Sequence, residues 1–213
     1  MVKGIFVTGI DTEIGKTYVT ARIVKQLKDQ GINVAYYKAA LSGAEVIDHK
    51  LIPGDLEVVR QFASLEKQDC QVSYVYKDAY APHLAAKIVD RPIDLAVIEH
   101  DIKQLQDSHD MVVIEGSGGI ICPLGENIIL SDVMKLADYP LVIVTPSGLG
   151  SINGCVLTCD YAKNQGLSIA GMIMNNYEET NILHQDNRKM IERLSGYCVL
   201  GYLGKDGNEI KMF

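Results

Sequence analysis

The sequence predicts an α/β fold in which a mostly parallel sheet is covered by helices on both faces. Three observations predict it. Short, almost continuously apolar runs rich in β-branched residues alternate with segments of helical spacing along the chain, as strands buried on two faces require. Polar residues gather directly after those runs, at Thr8-Gly9, Lys38, Glu115-Gly116, Pro146 and Asn175-Asn176, where such sheets bind ligands. The composition, 47% apolar and 22% charged with 19 glycines, suits a chain with one substantial core. Residues 1–213 read as one domain, since no repeat, low-complexity tract or Pro/Gly/Ser-rich linker divides them.

In chain order, residues 3–8 (KGIFVT) read as a buried strand. Residues 16–30 then space Val19, Ile23 and Leu27 four apart, the stripe of an amphipathic helix, and Gly31 stops it in the position that helix ends favour. Residues 32–38 (INVAYYK) form the second strand, ending at Lys38. Helical spacing returns at 55–63, 82–89 and 94–106. Strands are expected at 111–115, 141–145, 169–174 and 197–203, with helices at 151–165 and 181–194 between them. Residues 40–54 and 68–81 read as mobile loops over the strand ends.

Twenty Lys and Arg stand against 27 Asp and Glu, a net charge of −7 with a pI near 5.2. Such a balance argues against a basic face for nucleic acid or anionic membranes. The five cysteines are scattered without a CxxC, and read as core thiols of a reducing compartment. The first apolar run, Ile5-Phe6-Val7, breaks at Thr8-Gly9 and has no signal-peptide shape; no run approaches the roughly 18 apolar residues of a membrane span. A soluble cytoplasmic protein is expected. His49, His100, His109 and His184 form no cluster, and His83 after Pro82 reads as a capping or packing residue.

Gly9 to Thr17 (GIDTEIGKT) follows the first strand and opens the first helix. Nucleotide phosphates require converging backbone N–H groups, a helix N-terminus and a cation. Gly15 lets the backbone approach closely, Lys16 reaches the terminal phosphates, and the Thr17 hydroxyl can ligate Mg²⁺. The spacing is one residue longer than the usual motif, so Ile10 stands where the first glycine is common. The strand before it and the helix after it make this a phosphate loop, and the chain a P-loop fold. Glu115 ends an apolar strand ahead of Gly116-Ser117-Gly118-Gly119. A carboxylate at that tip, with small residues leaving room for a ligand, is placed to bind Mg²⁺.

The runs T-G-I-D-T-E-I-G-K-T, Y-K-A-A-L-S-G, A-P-H-L-A-A, V-I-E-G-S-G-G with C-P-L, G-L-G-S-I-N-G and M-N-N together resemble the dethiobiotin synthetase family, in its order, from residue 6 to about 176. The resemblance implies an enzyme that closes a cyclic urea from diaminopelargonate and CO2 with ATP and Mg²⁺. It implies Lys38, Lys16, Thr12 and Glu13 as catalytic residues. Glu13, Ile14, Gly15, Lys16, Thr17, Tyr18, Asp55, Glu115, Gly116, Ser117, Gly118, Asn175 and Asn176 would meet ATP, with Asn175 at the adenine. Thr17, Asp55 and Glu115 would hold Mg²⁺. Ser42, Gly150, Ser151 and Asn153 would contact the substrate, the last three across the interface of a homodimer. The simpler reading of that turn is a helix start with Ser151 as N-cap. Ala39 replaces the proline usual after the family's lysine, and Gly204-Lys205 replaces a proline-containing turn near the purine.

Each step of such a reaction gathers negative charge, so cations and oriented donors matter more than covalent chemistry. Three rivals share the loop: an amide-forming synthetase, which predicts a further glutaminase domain, a partitioning ATPase and a small-molecule kinase. Ile10, Asp11 and Thr12 offer no second lysine for the partitioning ATPase, and the chain's five arginines form no rich lid for the kinase.

Overall fold

A computed structural model describes residues 3–213. The strands are β1 (Gly4–Gly9), β2 (Val34–Leu41), β3 (Glu45–Ile47), β4 (Lys50–Ile52), β5 (Cys70–Val75), β6 (Met111–Glu115), β7 (Leu141–Pro146), β8 (Ile169–Asn175), β9 (Val199–Leu203) and β10 (Lys211–Met212). The helices are α1 (Lys16–Asp29), α2 (Gly54–Phe62), α3 (Pro82–Ile88), α4 (Leu95–Ser108), α5 (Leu130–Ala137), α6 (Ser151–Asn164) and α7 (Ile182–Ser195). One eight-stranded sheet runs in the order β10-β9-β8-β7-β1-β6-β2-β5, parallel throughout except for β10. The α/β reading with helices on both faces is borne out.

Strand alternation divides the apolar residues between two cores. Phe6, Tyr37 and Ile114 point to one, with Ile98 of α4, Leu130 of α5 and Cys155 of α6. Val7, Tyr36 and Val113 point to the other, with Val19 and Val24 of α1 and Val59 of α2. Lys38 and Glu115 continue the Tyr36 and Val113 sides of their strands. The polar tip of the sheet therefore faces the two helices that begin at Lys16 and Gly54.

The helix ends follow local chemistry. Asp94 and Asn181 cap α4 and α7 by accepting from the N–H groups of Ala96 and Leu183. Gly31, at φ +81°, takes the left-handed turn after α1. Gly150 rather than Ser151 precedes α6; Ser151 is its first residue, buried, with its hydroxyl donating to the Gly148 carbonyl at 2.8 Å.

Several expectations are corrected. The segment expected as a loop at 68–81 contains β5, an edge strand paired to β2. The segment at 40–54 contains the last residues of β2 and the exposed hairpin β3–β4. Helix α5 was not expected, although Leu130, Val133, Met134 and Ala137 follow helical spacing and are buried. Strand β2 continues beyond Lys38 to Leu41, so Lys38 lies within a strand.

The departure at Ile10 also has a reason. A Cβ on Gly154 of α6 would lie 2.6 Å from Ile10 Cδ1, so the isoleucine fills space that a side chain at 154 would need. Among the described residues, no helix is long and apolar enough to cross a membrane.

A methyl group on Gly4 would fall 2.2 Å from the Tyr139 ring and 2.5 Å from the Val112 carbonyl oxygen, whereas Gly54, at the start of α2, has nothing within 4 Å. Gly4→Ala is expected to cost about 1–3 kcal/mol by overpacking. Gly54→Ala is expected to leave stability unchanged or slightly higher. Urea midpoints check this, and equal midpoints for the two variants would contradict the packing described.

Candidate active site

Strands β2 and β6 lie in parallel register with Lys38 opposite Glu115, so both side chains emerge together on the α1–α2 face. The Lys38 ammonium donates to Glu115 Oε1 at 2.7 Å and to Asp55 Oδ2 at 2.5 Å. Thr17 Oγ1 donates to the same Glu115 Oε1 at 2.7 Å, and the Tyr36 hydroxyl donates to Oε2 at 3.1 Å. The Glu115 side chain is fully buried, that of Lys38 nearly so, and that of Asp55, in the first turn of α2, is open to the cavity. Burial works against the Lys38 charge, but the Glu115 and Asp55 carboxylates outweigh it and hold its pKa above the ordinary value. Burial, then the Glu115 charge, push the Tyr36 hydroxyl well above its usual range, so it stays a donor.

The phosphate loop is shaped by two left-handed residues, Glu13 at φ +55° and Gly15 at φ +86°. Lys16 Nζ donates to the Asp11 carbonyl at 2.6 Å, and Asp11 Oδ1 accepts from the Thr12 N–H at 2.7 Å. Burial, then repulsion by Lys38, lower the Lys16 pKa. Asn175, at the end of β8, donates from Nδ2 to the Ile14 carbonyl at 2.9 Å and accepts at Oδ1 from the Asn176 N–H. A Cβ on Gly15 would lie 2.2 Å from Asn175 Nδ2, so this glycine is required by close approach as well as by φ. The amide nitrogen of Asn175 thus holds the phosphate loop, while its oxygen orders the turn at Asn176. Asn176 is exposed at φ +56°.

The loop after Glu115 is tied down in turn. The Gly116 N–H donates to Val7 and the Ser117 hydroxyl to the Ala40 carbonyl, while Gly118 lies against Cys122 and Thr12. Two adjoining cavities result. One, of about 660 Å³, is lined by Gly15, Lys16, Thr17, Tyr18 and Glu115. The other, of about 410 Å³, is lined by Ala40, Tyr80, Pro82 and Ser117. Thr12, Glu13, Lys38, Ser42, Asp55 and Gly118 line both. The Ser42 hydroxyl is buried there without a hydrogen-bond partner and so is free to bond a ligand. A wider depression of about 990 Å³ lies beyond α1, beside Tyr177, Tyr202 and the Gly204–Gly207 turn.

Thr17 and Asp55 each lie beside the Lys38–Glu115 pair, and with Glu115 they offer oxygen atoms of the kind a hard divalent cation takes. The Lys38 ammonium already bridges the two carboxylates, so the pair accommodates positive charge. Gly150 and Asn153 lie elsewhere, in a separate depression of about 420 Å³ with Leu149, Ile152 and Leu194. Two buried residues, one bonded to the site and one behind it, carried no motif in the sequence. Tyr36 could have been found from its spacing, two before Lys38 and hence on the same strand face. Arg22, buried in the second turn of α1, gave no motif signal.

A family model described as an AAA domain matches residues 3–207. The ATP-dependent dethiobiotin synthetase BioD of Clostridium botulinum (strain Eklund 17B / Type B) is 46% identical over 93% of this chain and 89% of its own. The enzymes of the same name from Clostridium novyi and Brachyspira hyodysenteriae are each 44% identical, over 99% and 94% of this chain and 92% and 91% of their own. Among solved structures, the septum site-determining protein MinD with Mg-ADP from Pyrococcus horikoshii aligns with a TM-score of 0.61 over 98% of this chain and 85% of its own. Chloroplast FtsY from Physcomitrella patens gives 0.62 over 100% and 62%. At 19% and 15% identity these two share the fold alone, that of P-loop nucleotide-binding proteins. With a phosphate loop, a lysine–carboxylate cluster at its mouth and close relatives over nearly its whole length, the chain belongs to the ATP-dependent dethiobiotin synthetase family.

Proposed function

We propose that this enzyme carboxylates diaminopelargonate with CO2 and uses ATP, with Mg²⁺, to close the ureido ring of dethiobiotin, releasing ADP and phosphate. The observation that carries this reading is the Lys38–Glu115–Asp55 cluster at the junction of the two cavities, between the phosphate loop and the orphaned Ser42 hydroxyl. One amine of the substrate takes up CO2 and loses a proton, leaving a carbamate anion that Lys38 neutralises. Ser42 supplies the hydrogen bond that its buried hydroxyl otherwise lacks. Lys16 and the N–H groups of residues 13–18, with Thr12 and Glu13 beside them, hold the triphosphate in reach. A carbamate oxygen attacks the γ-phosphorus, the bond from phosphorus to the bridging oxygen breaks, and ADP leaves with the electron pair. The second amine then adds to the carbamic carbon of the mixed anhydride. The carbon–oxygen bond to phosphate breaks and a proton is lost as the ring closes. Thr17, Asp55 and Glu115 would hold Mg²⁺, which would neutralise phosphate oxygens.

A homodimer completes this reading, with the Gly150–Asn153 helix start of one copy meeting the carboxylate tail of substrate in the other. Helix N-termini favour anions. Leu149, Leu157 and Leu194 are 87%, 61% and 53% exposed around that turn, an apolar surface suited to a second copy. All five cysteines are unpaired, which supports a reducing, cytoplasmic setting.

Phosphate release with ATP and Mg²⁺ is expected only when diaminopelargonate and bicarbonate are both added; release indifferent to both would discard the substrate and favour a nucleotide-switched ATPase. Lys38→Met is expected to lower kcat by about 10²–10³-fold with an unchanged far-ultraviolet circular dichroism spectrum. Near-normal turnover by that folded variant would sink the role given to Lys38. Tyr36→Phe removes the donor that orients Glu115, and the Mg²⁺ concentration for half-activity is expected to rise about 10–100-fold. A magnesium titration of both proteins decides this, an unshifted curve counting against it.

A further inference from the structure

The face of α1 that leads away from the phosphate loop carries Tyr18, Arg22 and Gln26, four apart and one turn above another. All three bond to the backbone of the chain's last segment. The Tyr18 hydroxyl and Arg22 Nε both donate to the Gly207 carbonyl, at 3.2 and 3.1 Å. Gln26 donates to the Ile210 carbonyl and accepts from the Ile210 N–H. Arg22 is the centre of this stripe. It is 4% exposed, and its guanidinium carbon lies 3.3 Å from the Tyr18 ring centroid and 3.8 Å from that of Phe62, at the end of α2. Among the described residues no carboxylate pairs with it. Burying a guanidinium against two rings and the carbonyls of Gly207 and Tyr18, without a counter-ion, is costly, and an apolar side chain would serve packing alone. What only the cation supplies is hydrogen bonding, to the Tyr18 carbonyl of its own helix and, across to the last segment, a charge-assisted grip on Gly207.

The place of that grip gives it a meaning. The groups for the terminal phosphates, Lys38, Glu115 and Asp55, lie to the β6–β2 side of β1. A nucleotide threaded through the phosphate loop must extend its base to the opposite side, where β8 ends at Asn175 and β9 runs into the Gly204–Gly207 turn. Asn175, tied to the Ile14 carbonyl, forms one part of the wall on that side, and the turn that Arg22 holds forms the rest.

We propose that Arg22 is a positioning residue for nucleotide binding: it fixes the Gly204–Gly207 turn against α1 as the wall beside the base, without touching the phosphates. This rests on the reading of the chain as an ATP-binding enzyme, and the test separates the two. The full-length protein and its Arg22→Met variant are titrated calorimetrically with ATP and, separately, with inorganic triphosphate, which lacks base and ribose. The variant's Kd for ATP is expected to rise about tenfold, the share of one charge-assisted hydrogen bond. Its Kd for triphosphate and its kcat at saturating ATP are expected to stay at the wild-type values. Equal weakening toward both ligands would mean that Arg22 maintains α1 and the phosphate loop in general, and would overturn the proposal, as would an unchanged Kd for ATP. A wild-type protein that binds neither ligand would overturn the nucleotide reading itself. Should Arg22→Met fail to fold, Tyr18→Phe removes the second donor to Gly207 and keeps the ring; about threefold weaker ATP binding with unchanged triphosphate binding is then expected, and no change overturns the inference.

Discussion

A lysine placed in the middle of a buried strand must be given company, and the groups that keep Lys38 charged are the groups that make the site. Taking an ammonium out of water costs several kcal/mol unless carboxylates and further hydrogen bonds compensate. The parallel register puts Glu115 opposite Lys38, and Glu115, itself wholly buried, needs donors of its own. Thr17 and Tyr36 supply them, and Asp55 shares the ammonium from the open side. Satisfying one buried charge thus fixes the first turns of α1 and α2 relative to two strands. The same fixed set is an electrostatic cradle for anionic chemistry, which requires its charges to be in place before substrate arrives.

Helix α1 serves this arrangement along its whole length. Its first turn carries Lys16 and Thr17 into the site, its inner side buries Val19 and Val24, and its outer side clamps the segment that returns after β9. The chain's last strand, β10, pairs back onto β9 at Tyr202 and Gly201, so the clamped segment is held from both sides.

Much of this was legible in the residues. The phosphate loop announced itself because its chemistry demands glycine, lysine and threonine at set positions, and Glu115 because a charge at the tip of an apolar strand has few other uses. What escaped had physical reasons. Lys38 was read as a strand end because a charge rarely continues a buried strand; the ion pair across the register overrides that rule. Strand β5, CQVSYV, mixes polar and apolar residues because it has a partner on one edge alone, so it reads as a loop. Helix α5 is too short for its spacing to stand out. Asn175 also donates to the Ile14 carbonyl, a role visible only once β8 and the loop are side by side. Nothing in the sequence around Arg22 marks it as buried; Phe62 and the Gly207 turn, far off in the chain, cover it.

The contact between Ile10 and Gly154 has a consequence for how such sequences can change. The volume beside the phosphate loop is shared by two positions far apart in the chain, one just after β1 and one within α6. A glycine at 10 would leave room for a side chain at 154, and the isoleucine present here forecloses it. Substitutions at the two positions are therefore not independent: each is neutral or harmful according to the other, and a motif search that demands glycine at the loop's first position is testing half of a two-residue constraint.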